Sequence, residues 1–130
     1  IAVMAAAVAD YTPANVEKNK VKSSDKNVTL QLKPTRDIAA ALGKQKRQDQ
    51  LLMGFALETE NEIENAQKKI QKKNLDFIVL NSLKDQGAGF GTDTNKITII
   101  EKNNKTTNYE LKSKKEVAAD IVNKIFECKQ

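Results

Sequence analysis

LLMGFALETENEIENAQKKIQKKNLDFIVLN, residues 51–81, places two short apolar runs around a charged segment with helical spacing. LLMGFALE (51–58) and LDFIVLN (75–81) are nearly continuous in apolar residues. Runs of that length and content read as strands buried on both faces. Between them, Thr59 and Glu62 have the T-x-x-E spacing of a capping box, which predicts a helix running to Lys73. Its apolar face is narrow: Ile63, Ala66 and Ile70. A strand, a helix and a second strand in this order predict a right-handed crossover with the two strands parallel and adjacent.

The same pattern extends outward. Residues 1–9, IAVMAAAVA, read as a buried strand ending at Asp10 rather than as a signal peptide, because no basic leader precedes them. Residues 10–27 are polar and rich in Lys, too long for an ordinary connection, and 12–27 are expected to form a mobile lid. VTLQL (28–32) alternates as a half-buried strand. Thr35 is expected to open a helix through about Lys46, with Asp37 in its first turn. Beyond residue 81, a Gly-containing loop fills 82–95. KITIIE and TNYELK then flank Asn-Asn-Lys as a β-hairpin. Ser113 and Glu116 repeat the capping-box spacing, and Val117, Ala118, Ile121, Val122, Ile125 and Phe126 form an apolar helical stripe read as core. These elements predict an α/β fold, a Rossmann-like three-layer sandwich with a mostly parallel sheet and an added hairpin.

Composition excludes several chemistries. The 130 residues contain no histidine, which removes Ser-His-Asp and Cys-His catalysis and His-dependent zinc sites. Any metal would be a hard cation such as Mg²⁺ carried on phosphates. Cys128 is the single cysteine, so no intrachain disulfide forms, as suits a reducing cytoplasm. No apolar run approaches the ~20 residues of a membrane span. The net charge of +5 comes almost wholly from Lys, with Arg only at 36 and 47. Lys suits phosphate better than base readout. The first residue is not Met and lies inside an apolar run, so a segment of a longer protein is expected.

In open parallel sheets ligands bind at the carboxyl ends of the strands. Asp10 and Tyr11, Glu58 and Thr59, and Asn81 follow the apolar runs, although Asp and Asn are equally at home in turns. Lys18, Lys20, Lys22 and Lys26 lie on the lid, where positive charge would meet a triphosphate. Lys68, Lys69, Lys72 and Lys73 end a helix, where cations complement its dipole. Gly-Ala-Gly-Phe-Gly (87–91) has the wrong spacing for a dinucleotide fingerprint and precedes a strand instead of a helix. Two rival readings are a basic nucleic-acid-binding module and an NAD(P)-dependent Rossmann enzyme. Scarce Arg and 5% aromatics weigh against the first, and the failed fingerprint against the second.

AAAVADY (5–11), the lid's Lys20-Val21-Lys22, LKPTRDI (32–38), GFALET (54–59), KKNLD (72–76) and Asn81-Ser82 with the later Gly-Phe-Gly stand in one order along the chain. In that order and spacing the chain resembles the synthetase half of bacterial phosphopantothenoylcysteine decarboxylase/synthetase, the flavoprotein DFP C-terminal family. The resemblance implies a phosphopantothenate–cysteine ligase of coenzyme A biosynthesis. It would activate 4'-phosphopantothenate with CTP as an acyl-cytidylate, require Mg²⁺, couple the acyl group to L-cysteine, and act as a cytoplasmic homodimer. No nucleic-acid or membrane partner is implied. By the same resemblance Lys20 is catalytic, and Ala6, Asp10, Arg36, Asp37, Ile38, Ala39, Phe55, Lys69 and Lys73 bind nucleotide. Asp10 is also the candidate Mg²⁺ ligand. The lid motif departs from the family at Ser23, where the family has Lys, and Arg36 replaces its Pro. The family's earlier Gly-rich segment and catalytic Asn are not among these residues, so residues 1–130 are expected to be the C-terminal portion of one synthetase domain. FMN would enter only with an upstream decarboxylase domain.

Overall fold

The computed structural model describes residues 1–22, 27–82 and 91–129. Along the chain, the described elements are β1 (Ala2–Met4), β2 (Tyr11–Pro13), β3 (Leu32–Pro34), α1 (Ile38–Gln45), β4 (Leu52–Glu58), α2 (Glu62–Lys73), β5 (Phe77–Ser82), β6 (Thr94–Asn95), β7 (Ile97–Glu101), β8 (Thr106–Asn108), β9 (Lys112–Ser113) and α3 (Lys114–Glu127). They fall into two compact units, Ile1–Ala5 with Ala39–Gln130, and Ala6–Ile38.

The larger unit is built on a five-stranded sheet in the order β1-β4-β5-β7-β8. β1 and β4 pair in parallel, as do β4 and β5, with Met53 opposite Phe77 and Phe55 opposite Val79. β4 and β5 are therefore parallel and adjacent, as predicted. β7 and β8 join antiparallel as the hairpin, so the sheet is mixed. Alternation along the strands splits the core in two. Leu51, Met53, Phe77, Val79, Ile97 and Ile99 meet Val117, Ile121 and Ile125 of α3. Leu52, Ala56, Ile78, Leu80 and Ile100 meet Ala66 and Ile70 of α2. Helix, sheet and helix form three layers, the Rossmann-like arrangement expected.

The start of the sheet is tied by KKNLD. Asp76 accepts from the Leu52 N–H and from Lys46 Nζ, both at 2.7 Å. Asn74 closes α2 in the left-handed region at φ 50° and donates to the Gly43 carbonyl at 2.9 Å. A Cβ on Gly43 would fall 1.8 Å from the Lys73 carbonyl oxygen, so this contact between α1 and α2 admits only glycine.

Several sequence expectations are corrected. The Thr59–Glu62 capping box does not form. β4 stays extended to Glu58 and the chain turns at Asn61 (φ 45°), so the helix begins at Glu62 with Asn61, not Thr59, at its N-cap. Ile63 is half exposed. Thr35 does not open α1. Its hydroxyl donates to the Ala9 carbonyl at 2.7 Å and its N–H to the Asp10 carbonyl at 2.9 Å, so the helix begins at Ile38, leaving Asp37 outside its first turn. Residues 28–31 are exposed and not in a strand; Leu32–Pro34 pair instead with Tyr11–Pro13. The strand predicted over 1–9 is confined to Ala2–Met4. On α3, only Val117, Ile121 and Ile125 of the six apolar residues are core, because they recur every fourth position toward the sheet. Ala118, Val122 and Phe126 lie a step around the helix and are exposed. The Ser113–Glu116 capping box is complete, with both reciprocal bonds formed.

Candidate functional site

β4 and β5 run in register to their last residues, Leu57 opposite Asn81 and Glu58 opposite Ser82. Their carboxyl ends thus form one edge of the larger unit, the side on which open α/β sheets take ligands. Side-chain alternation sorts that edge into two faces. Phe55 is half-buried against the cluster beneath α3, and Asn81 shares its face. Glu58 lies on the α2 face.

The most constructed feature of the edge is the carboxylate of Glu58, whose side chain is 14% exposed. Its Oε1 sits 2.5 Å from Lys69 Nζ, and its Oε2 is 3.5 Å from Asn65 Nδ2. Asn65 Nδ2 also donates to the Glu60 carbonyl at 3.0 Å. Asn65 and Lys69 are four apart on α2 and so present one face of the helix to the strand end. Lys69 keeps 42% of its side chain exposed. The sequence places Glu58 only at a strand end, and Lys69 near a helix terminus and, by the family resemblance, at the nucleotide; it does not pair the two. The spacing of one strand end and an i, i+4 pair on the next helix was the available signal.

On the other face, the Lys96 N–H donates to Asn95 Oδ1 at 3.0 Å, and Asn95 Nδ2 donates to Asn81 Oδ1 at 3.0 Å. A backbone N–H can only donate, so this chain fixes the orientation of both amides.

The residues assigned by resemblance separate into groups. Phe55 lies mid-strand in β4 on the α3 face, whereas Lys69 reaches the carboxyl end of β4 at Glu58 from the α2 face. Lys73 is the last residue of α2, where the chain turns toward the amino end of β5. Ala39 is half-buried in α1. Ala6, Asp10, Lys20, Arg36, Asp37 and Ile38 belong to the smaller unit, where all are exposed. Within that unit the bond from the Thr35 N–H to the Asp10 carbonyl continues the β2–β3 ladder and brings Asp10 beside the Arg36–Asp37 segment. Lys20 lies between those strands. Ser23 and Lys26 of the expected lid, and Gly87 to Phe90 of the Gly-Phe-Gly segment, lie outside the described residues.

A cavity of about 270 Å³ opens at the amino end of the sheet, lined by Gln48, Asp49, Gln50, Leu51, Asp76, Cys128 and Lys129. Asp76 is already engaged with Leu52 and Lys46, and Asp49 with Arg47 at 3.0 Å. Burial pushes the Cys128 thiol up, which disfavours the thiolate needed of a nucleophile. Among the described residues no three His, Cys, Asp or Glu side chains converge on a metal-sized space. A Mg²⁺ ion would take most of its oxygens from phosphate and water, which Asp10 could supplement. None of the described helices is long and apolar enough to cross a membrane.

Known proteins share this arrangement. Residues 1–128 match the family described as DNA/pantothenate metabolism flavoprotein C-terminal domain. The coenzyme A biosynthesis bifunctional protein CoaBC of Bacillus subtilis (strain 168) is 45% identical over 96% of this chain and 30% of its own length. A protein from an unknown prokaryotic organism, named cysteine/cysteine sulfinic acid decarboxylase, is 59% identical over 97% of this chain and 35% of its own. The chain thus spans about a third of the length of these relatives. Among solved structures, the C-terminal domain of CoaBC superimposes with a TM-score of 0.74 at 41% identity, covering 97% of this chain and 55% of that one. The DNA/pantothenate metabolism flavoprotein from Streptococcus pneumoniae superimposes with a TM-score of 0.66 at 28% identity, covering 93% and 57%. With the sheet order, the carboxyl edge and a match across nearly its whole length, the chain belongs to the DNA/pantothenate metabolism flavoprotein C-terminal domain family, as the motifs from AAAVADY to KKNLD implied.

Proposed function

We propose that this chain is part of a phosphopantothenate–cysteine ligase in coenzyme A biosynthesis. The observation that carries the reading is the match to the C-terminal domain of CoaBC at 41% identity over 97% of the chain. The proposed reaction has two stages. The carboxylate of 4'-phosphopantothenate attacks the α-phosphorus of CTP, releasing pyrophosphate and leaving an acyl-cytidylate. The amine of L-cysteine then attacks the acyl carbon and displaces CMP.

In this reading Lys20 stabilises the charge that develops on the phosphate oxygens during attack, and Lys69 and Lys73 draw in the triphosphate. Phe55 offers an apolar surface to the base, while Ala6, Asp10 and the Arg36–Ala39 run line the rest of the nucleotide. Mg²⁺, held on the phosphates with help from Asp10, would neutralise their charge. The lid, the homodimer and the cytoplasmic location belong to the same proposal. A basic segment closing over a triphosphate adds positive charge and excludes water.

The test is pyrophosphate release with CTP, 4'-phosphopantothenate and L-cysteine by the polypeptide that carries this segment. Release that requires CTP and 4'-phosphopantothenate, and continues beyond one turnover only when L-cysteine is present, supports the ligase. Release that ignores 4'-phosphopantothenate would sink it. The 59% relative motivates a second reading, a decarboxylase acting on cysteine or cysteine sulfinic acid. Carbon dioxide evolved from either compound without nucleotide would favour that reading.

A further inference from the structure

We infer that Glu58 is a positioning residue for the phosphate-binding ammonium of Lys69, an inference that rests on the proposed nucleotide site. The geometry at the end of β4 supports it. A lysine ammonium has three N–H donors and no acceptor. One donor of Lys69 is taken by Glu58 Oε1 at 2.5 Å, which leaves two for an incoming anion. The two partners are unequally covered, Glu58 at 14% and Lys69 at 42% side-chain exposure. The carboxylate is therefore the fixed member and the ammonium the open one.

Glu58 is itself held. It is the last residue of β4, opposite Ser82 in the ladder, and its second oxygen faces Asn65 Nδ2 at 3.5 Å. Asn65 is anchored in turn on the Glu60 carbonyl at 3.0 Å. A free lysine side chain samples many rotamers, and holding it in one geometry costs entropy on each binding event. Here that ordering is done before a ligand arrives, which is what pre-organisation contributes to affinity. Glu58 also carries a negative charge beside a site for anions. If repulsion outweighed positioning, removing the charge would tighten nucleotide binding, so the sign of the effect decides between the two.

The experiment compares Glu58→Ala, Glu58→Gln, Lys69→Ala and the double variant Glu58→Ala/Lys69→Ala in the full polypeptide. Each is assayed for CTP-dependent pyrophosphate release and for CTP binding by calorimetry, and circular dichroism checks the fold. Glu58→Ala is expected to raise KM for CTP about tenfold with little change in kcat, equivalent to losing roughly one charge-assisted hydrogen bond. Glu58→Gln keeps an acceptor for Lys69 and should restore most of the affinity. The double variant should bind CTP no worse than Lys69→Ala alone, since Glu58 acts through Lys69. Additive losses in the double variant, or tighter CTP binding by Glu58→Ala, would overturn the inference. If Lys69→Ala weakens CTP while Glu58→Ala does not, the inference fails and the nucleotide site stands. If Lys69→Ala leaves CTP binding unchanged, both fail.

Discussion

Lys124 enters the larger unit from α3 and ends 2.8 Å from Glu101 and 3.2 Å from Glu127. Its side chain is 7% exposed and that of Glu101 16%, so the pair is largely withdrawn from water. Breaking such a pair leaves Glu101, among the described residues, only the exposed ammonium of Lys105 at 3.9 Å; stranding a buried charge typically costs ~3–5 kcal/mol, whereas replacing both partners with apolar groups is often nearly neutral. Lys124→Ala is therefore expected to destabilise the protein by about 3 kcal/mol in urea unfolding. Lys124→Met combined with Glu101→Leu should recover most of that loss. A double variant as unstable as the single one would show that packing, rather than the stranded carboxylate, sets the cost. Lys20 gives the opposite case. It is exposed in the smaller unit, and folding owes it little. Under the proposed mechanism it acts on charge that appears only in the transition state, an effect worth ~3 kcal/mol or about 100-fold in rate. Lys20→Ala in the full polypeptide should lower turnover by that order with its melting temperature unchanged, while Lys26→Ala should change little. Equal losses from the two would mean that only diffuse positive charge matters.

The start of α3 joins local sequence to stability at the scale of one element. Ser113 Oγ accepts from the Glu116 N–H at 3.3 Å, and Glu116 Oε2 accepts from the Ser113 N–H at 3.0 Å and from its hydroxyl at 2.6 Å. The hydrogen bond from the Ser113 side chain, followed by that from its backbone, holds the Glu116 carboxyl below its ordinary value of 4.5. A carboxyl whose pKa is lower in the folded than in the unfolded chain stabilises the fold above the unfolded value, and that contribution disappears as pH falls through the folded value. Thermal melts should therefore lose part of their stability as pH drops below about 4.5, and Glu116→Gln should lose less over that interval. Identical acid limbs would show that other carboxylates account for the decline. This box was legible because Ser113, Glu116 and the apolar residues after them all agree on where the helix starts. Thr59 and Glu62 have the same spacing, but β4 extends to Glu58 and the turn through Asn61 consumes the residues the box needed. Spacing specifies a cap only when the preceding strand stops in time. The parallel β4–β5 pair was equally legible, since its apolar runs have nowhere to go but a buried sheet. Gly43, Asp76 and Lys124 were not, because their meaning comes from partners about 23 to 31 residues away that no local pattern announces.

For the whole molecule, the two units hold the proposed nucleotide residues in separate lots, Phe55, Lys69 and Lys73 in one, Asp10, Lys20 and Arg36 in the other. A ligand that binds only the native state raises stability by ~2.7 kcal/mol at a hundred times its Kd. For a chain of 130 residues that corresponds to roughly 8–13 °C in melting temperature. CTP with Mg²⁺ should produce such a shift, and NADP should not, because the Gly-Ala-Gly-Phe-Gly segment lacks the dinucleotide spacing. The net charge of +5 adds a control. Diffuse attraction between lysines and any polyanion is screened by salt within about 8–10 Å, whereas contacts inside a partly covered site such as that around Glu58 and Lys69 are screened less. The CTP shift should therefore survive 0.3 M salt largely intact, while any shift caused by inorganic triphosphate or duplex DNA should collapse. A CTP shift that vanishes with salt alongside the DNA shift would reassign the lysines to non-specific charge. A shift with NADP that exceeds the one with CTP would return the fold to the dinucleotide enzymes, whatever the likeness of its motifs.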